Sequence, residues 1–95
     1  MISIKLFFYS LLADKFGKEE IALNFDHNII LRDLLNKLKS LLGSDFEKTN
    51  IISEGMLNKY IILALNGKHI RKFEGLDTII KDGDELSFLP AIAGG

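Results

Sequence analysis

Ninety-five residues, 47% hydrophobic and 26% charged, suffice for one folded domain with a single modest core and argue against disorder. A net charge of −1 gives no electrostatic reason to bind nucleic acid or an anionic membrane, and the lack of cysteine removes disulfides, thiolate catalysis and cysteine-held metals together. Apolar runs such as Ile61 to Leu65 are far too short for a membrane span, and Met1-Ile2-Ser3-Ile4-Lys5 lacks a signal-peptide pattern, so a cytoplasmic location is expected.

The first readable element is residues 2 to 9. Ile2, Ile4, Leu6 and Phe8 fall on one face of an extended chain, with Ser3, Lys5, Phe7 and Tyr9 on the other. Residues 10 to 17 carry Leu11, Leu12 and Phe16 and close at Gly17, which predicts a turn of helix or a compact loop. A second strand is expected over 19 to 25, with Ile21, Leu23 and Phe25 inward and Glu20, Ala22 and Asn24 outward.

Asp26-His27-Asn28 marks a turn, with Asn28 the nearest good helix cap. Leu31, Leu34, Leu35, Leu38, Leu41 and Leu42 then recur at steps of three and four, the apolar stripe of one α-helix. Gly43 fits its left-handed close. The stripe lasts under two heptads, so it reads as core and not as a dimer zipper. Ser44-Asp45-Phe46-Glu47 resembles a capping box, and Ile51, Ile52, Met56 and Leu57 are expected to anchor a short helix.

A third strand, Tyr60 to Leu65, is apolar on both faces, as a central strand would be. Asn66-Gly67 signals a type I′ hairpin turn, with Lys68 to Lys72 returning as an edge strand. Lys81-Asp82-Gly83-Asp84 predicts another tight turn. The last strand, Glu85 to Leu89, stops at Pro90. The order β-β-α-β-β-β with one leucine-rich helix implies an α+β two-layer domain over residues 1–95. Its first and last strands are apolar enough to lie side by side, in parallel, at mid-sheet.

After Pro90 come Ala91, Ile92, Ala93, Gly94 and Gly95. Glycine lacks Cβ and threads a channel too narrow for a side chain. Residues 90 to 95, fully extended, would reach about 20 Å. The expected functional group is therefore the Gly95 carboxylate, carried by this tail into a partner's active site.

Three stretches carry a resemblance. Ala64-Leu65-Asn66-Gly67, Lys81-Asp82-Gly83-Asp84-Glu85-Leu86 and Leu89-Pro90-Ala91-Ile92-Ala93-Gly94-Gly95 resemble the small subunit of molybdopterin synthase (the MoaD family), and Leu31-Arg32-Asp33-Leu34-Leu35 fits the same pattern. Thiamine-pathway sulfur carriers (ThiS) and archaeal ubiquitin-like modifiers are relatives. The family often has two prolines where this chain has Pro90-Ala91, which leaves the root of the tail less rigid.

The resemblance implies a β-grasp, ubiquitin-like fold and a chain that is no independent catalyst. A free α-carboxyl, with a pKa of about 3.5, is ionised at neutral pH and electrophilically inert. An adenylating enzyme related to ubiquitin activators (MoeB-like), using ATP and magnesium, would convert it to an acyl-adenylate. A sulfur donor would then leave a thiocarboxylate on Gly95. In the large subunit of molybdopterin synthase (MoaE-like) the tail would give its sulfur to a pterin precursor, in molybdenum cofactor biosynthesis. Gly94 would let the tail turn; Pro90, Ala91, Ile92 and Ala93 would line the groove leading in. No cofactor or metal is expected to be bound. The alternatives are a protein modifier conjugated to lysines through Gly95, a carrier for a thiamine or thiolation pathway, and an interaction module with an inert tail.

Phe7, Tyr9, Ile62 and Leu89 are expected together on the sheet face away from the helix, a candidate docking patch for both enzymes. In the competing reading, residues 44 to 59 fold over that face and extend the core. His27 and His69 read as solvated loop residues. Glu74, Asp77, Asp82, Asp84 and Glu85 read as turn chemistry, with steering of a basic partner as the other reading.

Overall fold

A computed structural model describes residues 1–9, 14, 19–49, 51–53, 56–58 and 61–90. Strand β1, Ile2–Phe8, realises the N-terminal alternation: Ile2, Ile4, Leu6 and Phe8 are buried, Ser3 and Lys5 exposed. Tyr9 lies one residue beyond it. Strand β2, Glu20–Phe25, returns antiparallel, with Ile2 opposite Phe25 and Phe7 opposite Glu20. The expected helix or loop over 10 to 17 lies outside the described residues, apart from Asp14.

The expected cap at Asn28 is not used. The chain passes through a two-residue strand, β3 (Ile29–Ile30), and Ile30 occupies the cap position with no side-chain hydrogen bond. A helix leaves its first N–H groups without internal partners. Here the Leu31 N–H donates to the Thr78 carbonyl at 2.8 Å, so a distant segment does what a local cap would have done.

Helix α1 runs Leu31–Leu42 and buries Leu31, Leu34, Leu35 and Leu38. Leu42 is half-buried, but Leu41 is 56% exposed and leaves the stripe. At 3.6 residues per turn it points roughly 80° from the stripe's centre, whereas Leu42 points along it. Gly43 ends the helix at φ 58°, its N–H donating to the Lys39 carbonyl at 2.8 Å.

Helix α2, Ser44–Thr49, starts on the Gly43 carbonyl, which accepts from the Phe46 and Glu47 N–H groups at 3.1 and 3.4 Å. Beyond it, the structure corrects the expectation of a helix anchored by Ile51, Ile52, Met56 and Leu57. Strands β4 (Ile52–Ser53) and β5 (Met56–Leu57) form an antiparallel pair, Ile52 opposite Leu57. The Asn58 N–H reaches back to the Ile51 carbonyl at 2.9 Å. The same apolar spacing fits two ends of a hairpin, and Gly55 disfavours a helix running through it.

Strand β6 is Ile61–Leu65; Tyr60, expected to open it, lies outside the described residues. Asn66 and Gly67 have φ of 51° and 85°, the left-handed pair that a type I′ turn needs. The return strand β7 is only Lys68–His69, not Lys68 to Lys72. Ile70–Lys72 is a turn of 3-10 helix, because Ile70 leaves the sheet to be buried and His69 Nδ1 accepts the Arg71 N–H at 3.1 Å.

Strand β8, Ile79–Ile80, pairs with β3. Strand β9, Glu85–Pro90, lies between β1 and β6 in the sheet order β2-β1-β9-β6-β7. It is parallel to β1 and antiparallel to β6, so the first and last strands are neighbours at mid-sheet as the pattern predicted. The architecture is α+β: a mixed sheet with one main helix on one face, the β-grasp arrangement. The Phe8 and Phe88 rings stack in the core at 5.0 Å between centroids. No helix among the described residues is long and apolar enough to cross a membrane.

Candidate functional site

Register decides what the outer face of the sheet displays. Leu6 pairs with Leu86, Phe8 with Phe88 and Phe88 with Leu63; these side chains are buried towards the helix. Side chains alternate along a strand, so their neighbours point the other way. Leu89 is opposite Ile62. The Tyr9 N–H donates to the Phe88 carbonyl at 3.2 Å, which carries the β1–β9 register one residue past β1 and brings Tyr9 beside Leu89. One row across the outer face is therefore Tyr9, Leu89 and Ile62.

The next row is Glu20, Phe7, Ser87, Ala64 and His69, and the third holds Ala22, Lys5 and Glu85. The face grades from apolar at the end where β9 finishes to charged where it begins. Tyr9 is 45% exposed, while Phe7, Ile62 and Leu89 are half-buried. The four side chains expected on this face are all on it, in two adjacent rows.

The competing reading placed residues 44 to 59 over this face. Instead Phe46 and Ile51 join the core, and Phe46, Glu47 and Ile52 line a cavity of about 270 Å³ with Leu35, Asn36 and Lys39 of α1. Phe46, Ile51 and Ile52 therefore lie on the helix side of the sheet. Lys39 Nζ lies 3.8 Å from Glu47 Oε1 across its rim.

Strand β9 is paired with β6 up to Pro90, whose backbone is opposite Ile61, and with β1 up to Phe88, where the Tyr9 N–H closes the ladder. Ala91, Ile92, Ala93, Gly94 and Gly95 lie outside the described residues. Five residues fully extended would span about 17 Å from that point.

The other end of β9 is clamped by side chains that the sequence assigns to turn chemistry, with steering of a basic partner as the other reading. Asp82 Oδ1 accepts the Ser3 N–H at 2.7 Å, and the Gly83 N–H donates to the Ser3 carbonyl at 2.9 Å. Asp84 Oδ2 accepts the Lys81 N–H at 2.7 Å, and its Oδ1 accepts from Asn66 Nδ2 at 3.0 Å. Asn66 Oδ1 accepts the Glu85 N–H at 2.9 Å. The Lys81–Asp84 turn thus ties together the starts of β1 and β9 and the β6–β7 hairpin. Asp77 is used differently, pairing with Arg32 at 3.0 Å. His27 Nδ1 lies 3.0 Å from the Asn28 carbonyl oxygen, and His69 caps its 3-10 turn.

Thr78 had no signal in the sequence. It is 4% exposed, and its hydroxyl donates to the Gly75 carbonyl at 2.7 Å and accepts the Glu74 N–H at 3.0 Å.

Comparison with known proteins places this geometry in context. The ThiS family model matches residues 8–95. A protein of Archaeoglobus fulgidus assigned as a sulfur carrier is 36% identical over 67 residues, 70% of this chain and 75% of that one. Small archaeal modifier protein 3 of Haloferax volcanii is 24% identical over 94 residues, covering 99% of this chain and all of that one. Among solved structures, small archaeal modifier protein 1 of Methanosarcina acetivorans superposes with a TM-score of 0.79 at 29% identity, covering 100% of this chain and 98% of that one.

Proposed function

We propose, from the premise that the chain belongs to the ThiS family, that Gly95 is the sulfur-bearing end of a small ubiquitin-like sulfur carrier and that the outer sheet face docks the enzymes acting on it. The observation that carries this reading is the position of Tyr9, Leu89 and Ile62 on the outer face where paired β9 ends, beside the root of the tail. An enzyme that grips this row receives the following residues in a set direction.

The chemistry belongs to the partners and the reacting atom to this chain. The Gly95 carboxylate attacks the α-phosphate of ATP, held with magnesium by an adenylating enzyme, and pyrophosphate leaves. Sulfur from a donor then attacks the acyl carbon and AMP leaves, so that Gly95 ends as a thiocarboxylate. Gly94 adds no side chain beside the reacting carbon. Pro90, Ala91, Ile92 and Ala93 fill the approach groove. Phe7, Tyr9, Ile62 and Leu89 supply apolar contact area, and because one face serves every partner, the enzymes bind in turn.

The acceptor in this reading is a pterin precursor, and the second partner is the large subunit of molybdopterin synthase. Support for that choice is the match of the Asp-Gly-Asp turn, strand, proline and diglycine end to the small subunit of that synthase. A second reading is a protein modifier, in which a lysine amine attacks the Gly95 adenylate to form an isopeptide bond. The end-to-end similarity to a small archaeal modifier protein favours it.

One experiment tests the shared step and separates the branches. The protein is incubated with ATP, magnesium, an adenylating enzyme and sulfide, alkylated with a thiol reagent, and its C-terminal fragment weighed. The chain has no cysteine to label, so an adduct on Gly95 reports a thiocarboxylate. An adenylate without sulfur, with high-mass conjugates through Gly95, replaces the carrier reading with the modifier. Neither product, from an enzyme shown to be active, overturns both.

A further inference from the structure

Asn66-Gly67 serves the fold as a turn, and it is also a reactive dipeptide. A deprotonated backbone nitrogen can attack the side-chain carbonyl carbon of a preceding asparagine. The new N–C bond closes a five-membered succinimide, and the side-chain nitrogen leaves as ammonia. Water then opens the ring at one of its two carbonyls, giving aspartate or isoaspartate. The reaction needs only water and base. A glycine nitrogen is the least hindered attacker, since no Cβ shields it. Around Gly67 the space is open: a Cβ built there would meet nothing within 4 Å.

What stands against the reaction is the Asn66 carboxamide's own bonding. Nδ2 donates to Asp84 Oδ1 at 3.0 Å and Oδ1 accepts the Glu85 N–H at 2.9 Å. Both bonds hold the group flat against the start of β9. The attack requires it to rotate towards the Gly67 nitrogen, which breaks both. A carboxylate accepting from Nδ2 also keeps that nitrogen amide-like and makes it a poorer leaving group.

The product has a structural consequence. Aspartate at this position has no N–H to give Asp84, and it sets one carboxylate against another where a donor stood 3.0 Å away. Isoaspartate adds a backbone carbon inside a turn whose φ angles of 51° and 85° are already demanding. Aspartate thus weakens the tie between the β6–β7 hairpin and the beginning of β9, keeping the backbone bond from the residue 66 N–H to the Glu85 carbonyl at 2.8 Å, while isoaspartate disturbs that bond as well.

We propose that Asn66 is a modification site of this chain, a deamidation site that Asp84 holds shut and whose conversion loosens the clamp at the start of β9. This inference does not depend on the sulfur-carrier reading. The test incubates the full chain in warm, mildly alkaline buffer and follows the NH2-to-OH mass change at Asn66 by peptide mapping. Folded protein is compared with the same chain in urea and with Asp84→Ser, whose folding is checked by circular dichroism. The expected result is conversion about tenfold slower in the folded chain than in urea, and most of that protection lost in folded Asp84→Ser, in line with the loss of a charge-assisted hydrogen bond. Equal rates in folded and unfolded wild type, or an unchanged rate in folded Asp84→Ser, overturn the proposal. If Asp84→Ser does not fold, amide exchange in Asn66→Asp decides: faster exchange of the Glu85 N–H supports the clamp, and unchanged exchange overturns it.

Discussion

Thr78 closes the first turn of helix α1 from outside the helix, its carbonyl accepting the Leu31 N–H at 2.8 Å. The same residue ties down its own segment, since its buried hydroxyl bonds Gly75 and Glu74. Thr78→Val keeps the shape and removes only the oxygen. The Gly75 carbonyl keeps the Thr78 N–H at 3.1 Å but loses the hydroxyl, and the Glu74 N–H loses its hydroxyl acceptor, at a cost of about 0.5–1.5 kcal/mol. Urea unfolding should show a lower midpoint at unchanged slope. An unchanged midpoint would show that the hydroxyl bonds do not hold this corner.

Phe88 is fully buried, and its ring stacks on Phe8 at 5.0 Å. It sits on the central strand, where helix and sheet meet. Phe88→Ala removes most of a ring from a packed core, which typically costs about 3–5 kcal/mol. A domain of this kind has roughly 5–15 kcal/mol in total. The variant should therefore melt well below the wild type and lose the compact state first on heating. Loss of less than about 1 kcal/mol would mean that the core closes over the gap.

Gly83 has φ 84°, and a Cβ there would meet nothing within 4 Å. Gly83→Ala is therefore a test of backbone strain alone, without a clash. The left-handed region costs an L-residue about 1–2 kcal/mol. Because the Gly83 N–H donates to Ser3, amide exchange at Gly83 should rise along with the loss of stability. A neutral substitution would show that the turn relaxes to a negative φ.

Phe7→Ala combined with Tyr9→Ala tests the docking face. Both side chains project away from the helix, so the fold should survive, with an unchanged far-ultraviolet dichroism spectrum. Aromatic anchors at interfaces commonly contribute more than 1 kcal/mol each. Affinity for the adenylating enzyme, measured by calorimetry, should fall about tenfold or more, and loading of Gly95 should slow in parallel. A folded double variant that binds normally would remove the face from the proposal.

Much of the fold was legible because its signals are local. The alternation of Ile2, Ile4, Leu6 and Phe8, the spacing of Leu31, Leu34, Leu35 and Leu38, and the Asn66-Gly67 turn each lie within a few contiguous residues. The placement of Phe7, Tyr9, Ile62 and Leu89 on the outer face followed from the same alternation, once β1, β6 and β9 were taken as neighbours. The capping-box residues Ser44 to Glu47 do open a short helix, but Ile51, Ile52, Met56 and Leu57 were misread because they fit a helix face and a paired strand equally well. The strand expected to reach Lys72 ended at His69 because burial of Ile70 outweighed continued pairing at a sheet edge.

By itself, then, the amino-acid sequence determined the period of each main element, the turn at Asn66-Gly67 and the order of main strands and helix. Periodicity and left-handed turn preference are properties of neighbouring residues, so they are written in the chain directly. Only the tertiary structure decided that Thr78 and not Asn28 starts the helix, that Asp84 grips Asn66, and that Tyr9, Leu89 and Ile62 form one row. Those relationships join backbone and side-chain groups from distant segments, and a hydrogen bond or a register leaves no mark on either partner's local sequence until packing brings the two together.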